Sequence, residues 1–141
     1  MTREEILAFL NANPICFLAT AEDCKPHVRG MMLFRADERG IIFHTGEGKD
    51  MTIQMHNNPL CEVCVWDQKT NIQVRVSGAV EFLDDLEMKK QLVAERPFLQ
   101  PMVDQFGYDA FAVFRVKDCV ATVWTMAEAM APKTFVKLCG E

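Results

Sequence analysis

Pro26-His27-Val28-Arg29-Gly30-Met31-Met32-Leu33-Phe34-Arg35-Ala36, then an Asp37-Glu38-Arg39-Gly40 turn, then Ile41-Ile42-Phe43-His44-Thr45-Gly46-Glu47-Gly48-Lys49-Asp50, is the stretch that decides the fold. Its first segment alternates, with Arg29, Met31 and Leu33 on one side and Val28, Met32 and Phe34 on the other, as a strand requires. The second segment runs from a strand, Ile41 to Thr45, through a glycine turn into Lys49 to Asn57, where Met51 and Met55 recur at helical spacing and Asn57-Asn58-Pro59 ends the run. A strand delivered into a helix start presents free backbone N–H groups and a partial positive charge, and Thr45 and Lys49 add a hydroxyl and an ammonium there. Arg29 sits on the neighbouring strand, and Gly30 inside that strand marks a bulge or a place where a flat group lies against the backbone. Together these residues point to a phosphorylated, planar, apolar ligand. Taken singly, the turn is an ordinary glycine-rich connection and Arg29 an exposed strand residue. It is not a P-loop, since Asp50 stands where Ser or Thr is required.

Outward from this stretch the chain continues in hairpins. An amphipathic helix carrying Ile6, Leu7, Phe9 and Leu10 ends at Asn13-Pro14, and Ile15 to Thr20 reads as a buried strand. Cys61 to Trp66 and a long alternating strand follow, the latter with Ile72, Val74, Val76 and Val80 on one face and Gln73, Arg75 and Ser77 on the other. Asp84 and Asp85 open a helix through Glu95, closed by Arg96 and Pro97. Two last strands, Ala110 to Val116 and Cys119 to Met126, are joined by Lys117-Asp118. The expected fold is mainly β (α+β): a six-stranded antiparallel split barrel with short flanking helices, in one domain over residues 1–141.

Composition narrows the function. A net charge of −5 without a basic stripe argues against nucleic acid, and no apolar run reaches a membrane span. The acidic start Met1-Thr2-Arg3-Glu4-Glu5 lacks the order of a secretory signal, so a cytoplasmic location is expected, with the six cysteines as reduced thiols. Cys61-x-x-Cys64 lies on a strand, where residues three apart point to opposite faces, and His27, His44 and His56 lack metal-ligand spacing. No metal site is expected. His44 is either a plain strand histidine or a proton donor or axial ligand beside a bound group. No nucleophile elbow or carboxylate pair stands out, so any chemistry should come from a cofactor.

The chain resembles the pyridoxamine 5'-phosphate oxidase-like proteins with the FMN-binding split-barrel fold, most closely the short bacterial members called general stress protein-like. The resemblance rests on Phe17-Leu18-Ala19-Thr20, Pro26-His27-Val28-Arg29, Ile42-Phe43-His44-Thr45, Lys49, Asn57-Asn58-Pro59 and the run Gln73-Val74-Arg75-Val76-Ser77-Gly78-Ala79-Val80-Glu81. It implies FMN as cofactor, with Arg29 reaching the phosphate, Met31 and Met32 along the isoalloxazine ring, and Thr45 and Lys49 on the phosphate-side turn. It also implies Gln73 near the flavin and Trp124 approaching from the partner subunit of a homodimer. Phe34 stands where a second basic residue is expected, and Lys49-Asp50-Met51 replaces the Ser-Arg-Lys cluster of the true oxidase. The C-terminal arginine and histidine that grip pyridoxal phosphate are absent, so oxidation of vitamin B6 is not implied. The resemblance implies a flavin-dependent oxidoreductase taking electrons from a small substrate or a reduced nicotinamide. The alternative is a flavin- or haem-binding protein for storage or sensing, and the family also includes deazaflavin-dependent relatives.

Overall fold

A computed structural model describes residues 1–140. Helix α1 (Arg3–Ala12) starts with a reciprocal cap in which Glu5 N–H donates to Thr2 Oγ1 and Thr2 N–H to the Glu5 carboxylate. It is followed by β1 (Ile15–Glu22), β2 (Lys25–Met32), β3 (Arg35–Asp37), β4 (Gly40–Gly46), α2 (Asp50–Asn57), β5 (Leu60–Asp67) and β6 (Ile72–Leu83). Then come α3 (Leu86–Glu95), α4 (Gln100–Phe106) between two 3-10 turns, β7 (Phe111–Trp124) and β8 (Val136–Lys137). The strands form one antiparallel sheet in the order β2-β1-β5-β6-β7-β4-β3, with β8 added to β7.

The sheet thus has eight strands rather than six, and it does not close. Three differences from the sequence reading bear on the count: one strand splits, two merge, and the two-residue β8 is added. The Pro26–Ala36 strand breaks at Leu33-Phe34, because Leu33 N–H turns to Pro14 O and Phe34 N–H to Ile42 O, so the chain leaves one edge of the sheet and resumes at the other. The two last strands expected over residues 110–126 are one, β7: Asp118 takes φ 55°, and the register shift between Ser77 and Ala79 absorbs the extra residue as a bulge, so the ladder continues past Lys117-Asp118. Helix α4 escaped the sequence reading because it is short, carries Pro101 and buries no residue.

The curled sheet wraps one core, in which Phe43 and Phe114 stack at 5.3 Å among Leu18, Val63, Val76 and Met55. A second, smaller core lies between the other face of β4 and β7 and helix α3, from Ile42, Val113, Phe111, Leu92 and Val93. The β1 strand is half-buried and not buried throughout: Leu18 and Cys16 face the core while Ile15 and Phe17 are exposed. All six cysteines are free, and Cys61 is buried while Cys64 points to the other face.

At the bulge, a Cβ on Gly78 would meet Lys117 O at 2.6 Å, whereas one on Gly30 would meet nothing within 4 Å. Gly78→Ala is therefore expected to destabilise by roughly 2–3 kcal/mol and Gly30→Ala to change stability by less than about 1 kcal/mol, read as urea midpoints at unchanged slope.

Candidate functional site

Arg29 lies on the edge strand β2 and faces the inner side of the sheet, in the row Arg29, Leu18, Val63, Val76. Its side chain reaches beneath α2. There Nη1 donates to Thr20 Oγ1 at 2.8 Å and to Leu18 O at 3.3 Å, and Nη2 donates to Gln54 Oε1 at 2.9 Å. Thr20 Oγ1 donates in turn to Gln54 Oε1 at 2.6 Å, and both residues are buried. Desolvation lowers the Arg29 pKa, with the Asp50 charge acting the other way, yet no carboxylate among the described residues forms an ion pair with it. A guanidinium stays charged under these conditions, so its charge is available to an anion.

Lys49 is the N-cap residue of the same α2 and caps it with no side-chain bond. The preceding turn is pinned by Glu47 N–H to Ala110 O and Thr52 Oγ1 to Gly46 O. Gly48 at φ +80° supplies the turn's left-handed residue, and the Lys49 stem lies over Gly46. Thr45 is buried on β4 opposite Ala112, and none of the hydrogen bonds among the described residues involves its hydroxyl. Arg29 and Lys49 are thus brought to one helix, Lys49 at its start and Arg29 against Gln54 in its second turn.

The other expected residues lie elsewhere. Gly30 and Met32 face outward from β2, while Met31 turns inward and packs on the core. Gln73 sits between Trp66 and Trp124 across β5, β6 and β7, on the outer face. Three strand spacings, about 14 Å, and the thickness of the sheet separate Gln73 from Arg29 within one chain. Gln73 and Trp124 instead line a cleft of about 420 Å³ under the C-terminal segment, with Arg75, Glu128 and Lys133.

A residue that sequence reasoning named only as a helix end proves central. Arg96 donates to Met32 O at 3.3 Å and to Leu33 O at 2.7 Å, covering the carbonyls where the sheet splits, and its guanidinium lies 5.4 Å from the Phe34 ring centroid. Its Nη1 also lies 2.9 Å from His44 Nε2. Since arginine only donates, Nε2 accepts and the neutral His44 carries its proton on Nδ1. Burial, then the Arg96 and Lys49 charges, push the His44 pKa down to about 4. With Nε2 engaged, nothing in the arrangement supports His44 as a haem ligand. Of the positions where basic residues were expected, Met51 belongs to the main core and Phe34 packs against the smaller one.

A family profile for pyridoxamine 5'-phosphate oxidase matches residues 2–117. The chain belongs to that family. It is 34% identical over 93 residues to the pyridoxine-5'-phosphate oxidase of Dictyostelium discoideum, a match covering 64% of this chain and 40% of that protein, so it spans well under two thirds of that relative's length. Among solved structures, a NimC/NimA family protein of Clostridium acetobutylicum superposes with a TM-score of 0.77 at 23% identity, covering 96% of this chain and 92% of the other. A protein of the same organism related to general stress protein 26 gives 0.72 at 16% identity, over 96% and 94%. An FMN-binding, pyridoxamine 5'-phosphate oxidase-related protein of Nostoc punctiforme gives 0.66 at 16% identity, over 94% and 88%. These likenesses establish the split-barrel fold.

His44 is neutral in the folded chain above about pH 4 and titrates near 6.5 when unfolded. The unfolded state therefore binds more protons between those values, so stability is full above about pH 6.5 and falls as pH drops toward 4. His44→Gln is expected to flatten this part of a urea-midpoint profile; an unchanged slope would reject the depressed pKa.

Proposed function

We propose that this chain is an FMN-binding flavoprotein, a cytoplasmic homodimeric oxidoreductase acting on a small substrate with a reduced nicotinamide or that substrate as electron source. The observation that carries the reading is the pairing of Arg29 and Lys49, two cations without carboxylate partners, at one helix beside an exposed apolar sheet face. FMN, when bound, supplies hydride and electron transfer. The chain's own residues bind and orient: Arg29, Lys49 and the start of α2 take the phosphate, and Gly30 leaves the outer face of β2 flat beside Met32.

The dimer follows from the division of the site. The outer face of β2, β1 and β5 exposes Val28 (70%), Phe17 (52%), Ile15 (61%), Met32 (41%) and Trp66 (46%) as one contiguous patch, continued by Gln73 and Trp124. Contiguous apolar surface of this kind marks an interaction site. A second copy laid on this patch would cover it and bring its own Gln73 and Trp124 toward the ring of a flavin whose phosphate is held by Arg29 of the first. Vitamin B6 oxidation is not the reaction proposed, because Phe34 and Met51 serve packing where the oxidase is expected to have basic residues. A non-catalytic flavin carrier is the second reading, favoured by the engagement of His44 Nε2, which leaves the site without an evident acid or base. Sustained flavin reoxidation with a reduced nicotinamide and an acceptor would reject the carrier.

Protein reconstituted with FMN is expected to show a flavin absorption spectrum. The double variant Arg29→Ala, Lys49→Ala should weaken FMN binding at least about tenfold with unchanged circular dichroism. Unaltered affinity would remove the proposed phosphate site. In sedimentation, the wild type should run as a dimer and Phe17→Glu as a monomer with weakened FMN binding; a monomeric wild type that binds FMN fully would overturn the shared site.

A further inference from the structure

A guanidinium has five N–H donors in a fixed plane. In Arg29, Thr20 Oγ1 and Gln54 Oε1, bonded to each other at 2.6 Å, cover the edge formed by the two terminal nitrogens. Leu18 O takes the remaining proton of Nη1 at 3.3 Å. The protein thereby uses three donors and leaves two: Nε–H and the outer proton of Nη2. These two are parallel and lie in the plane along one edge, the arrangement that matches two oxygens of a phosphate or carboxylate. Nε has no hydrogen-bond partner among the described residues and, unlike Nε of Arg35 and Arg115, is not sealed from solvent.

The two residues that fix Arg29 are neutral. Gln54 must present its oxygen to Thr20 and Arg29, which turns its amide nitrogen toward Glu22 Oε2 at 3.5 Å and settles which way the amide points. A glutamate at the same place would accept both bonds equally well and would neutralise the guanidinium. The choice of an amide therefore holds the geometry while leaving the charge unspent.

Resting on the FMN reading above, we infer that Thr20 and Gln54 are positioning residues that present the Nε–Nη2 edge of Arg29 as a two-pronged donor for the phosphate monoester, and that the neutrality of Gln54 sets the preference for the phosphorylated over the unphosphorylated flavin. Neither residue touches the ligand itself. Thr20 acts by orientation alone, and Gln54 acts by orientation and by withholding a charge.

The test compares dissociation constants of FMN and riboflavin, by flavin fluorescence, for the wild type, Gln54→Glu and Thr20→Val, with thermal melting of each apoprotein. Gln54→Glu keeps the shape and both acceptor bonds and gains an ion pair with Arg29, which offsets the donor lost to Glu22, so the apoprotein should melt near the wild-type temperature. Its FMN-to-riboflavin preference should fall at least about tenfold. Thr20→Val, which removes one of the bonds that aim Arg29, should lower the preference several-fold. An unchanged preference in both variants overturns the inference, and so does an equal loss of both flavins, which is what general loosening of the fold would give. Should Gln54→Glu not fold, the Thr20→Val preference decides alone. A wild type without preference for FMN would sink the phosphate reading and this inference with it, whereas a strong wild-type preference untouched by the variants sinks the inference only.

Discussion

The split in the sheet is the constraint on which the rest of the structure depends. Two residues, Leu33 and Phe34, carry the chain from the β2 edge to the β3 edge, a passage open only to a sheet curled far enough for its edges to approach. Backbone groups at such a seam lose their ladder partners, and unpaired buried carbonyls cost free energy. Arg96 meets this by donating to both Met32 O and Leu33 O from the end of α3. The same guanidinium fixes the His44 ring on β4 and faces the ring of Phe34, so the seam, the α3 helix and the strand leading to Lys49 are tied at one point. This also explains why a helix whose first turn bears Glu87 and whose exposed face is polar stays docked: its Leu92 and Val93 pack on Ile42 and Val113, and Arg96 anchors its end.

Where the strands lie was largely legible because their apolar alternation survives in most of them, and Pro14, Pro59 and Pro97 bound their neighbours as proline chemistry requires. Where two of them begin and end was not, for two opposite reasons. Leu33 and Phe34 continue the apolar pattern of β2 through a point where the backbone changes partners, so pattern alone hides the break. Lys117-Asp118 looks like a turn, yet a bulge lets polar residues sit within a continuous ladder at no loss of pairing on either side. The β8 strand, two residues long, carries too little pattern to be read at all.

The site divides in the same way. Arg29 and Lys49 could be named from a strand and a helix start, because helix termini and basic side chains have a local signature. Thr20 and Gln54 could not: the contact that joins them spans 34 residues and exists only once β1 and α2 are packed. Arg96 was visible as a helix-closing residue, but its partners are backbone carbonyls 63 and 64 residues away, which no side-chain motif encodes.

The distribution of charge follows from the fold more than from the count of charged residues. Acidic side chains outnumber basic ones by five, yet Arg29, Lys49 and Arg96 all lack a carboxylate ion-pair partner among the described residues, while Arg35, Arg39, Arg75 and Arg115 have one. The paired arginines reside on strand surfaces or in turns where carboxylates across or along the strand are within reach. Arg29 is instead held by the neutral Thr20 and Gln54 and Arg96 by main-chain carbonyls at the seam, while Lys49 stands exposed at the start of α2 with no side-chain cap bond. Neutral partners fix a cation's position without cancelling its field, and partial burial strengthens that field relative to open solvent. A net-acidic chain thus keeps Arg29, at the edge of its own sheet where the outer apolar face begins, free of a carboxylate ion pair among the described residues. An anionic head joined to a planar apolar body satisfies both features at once.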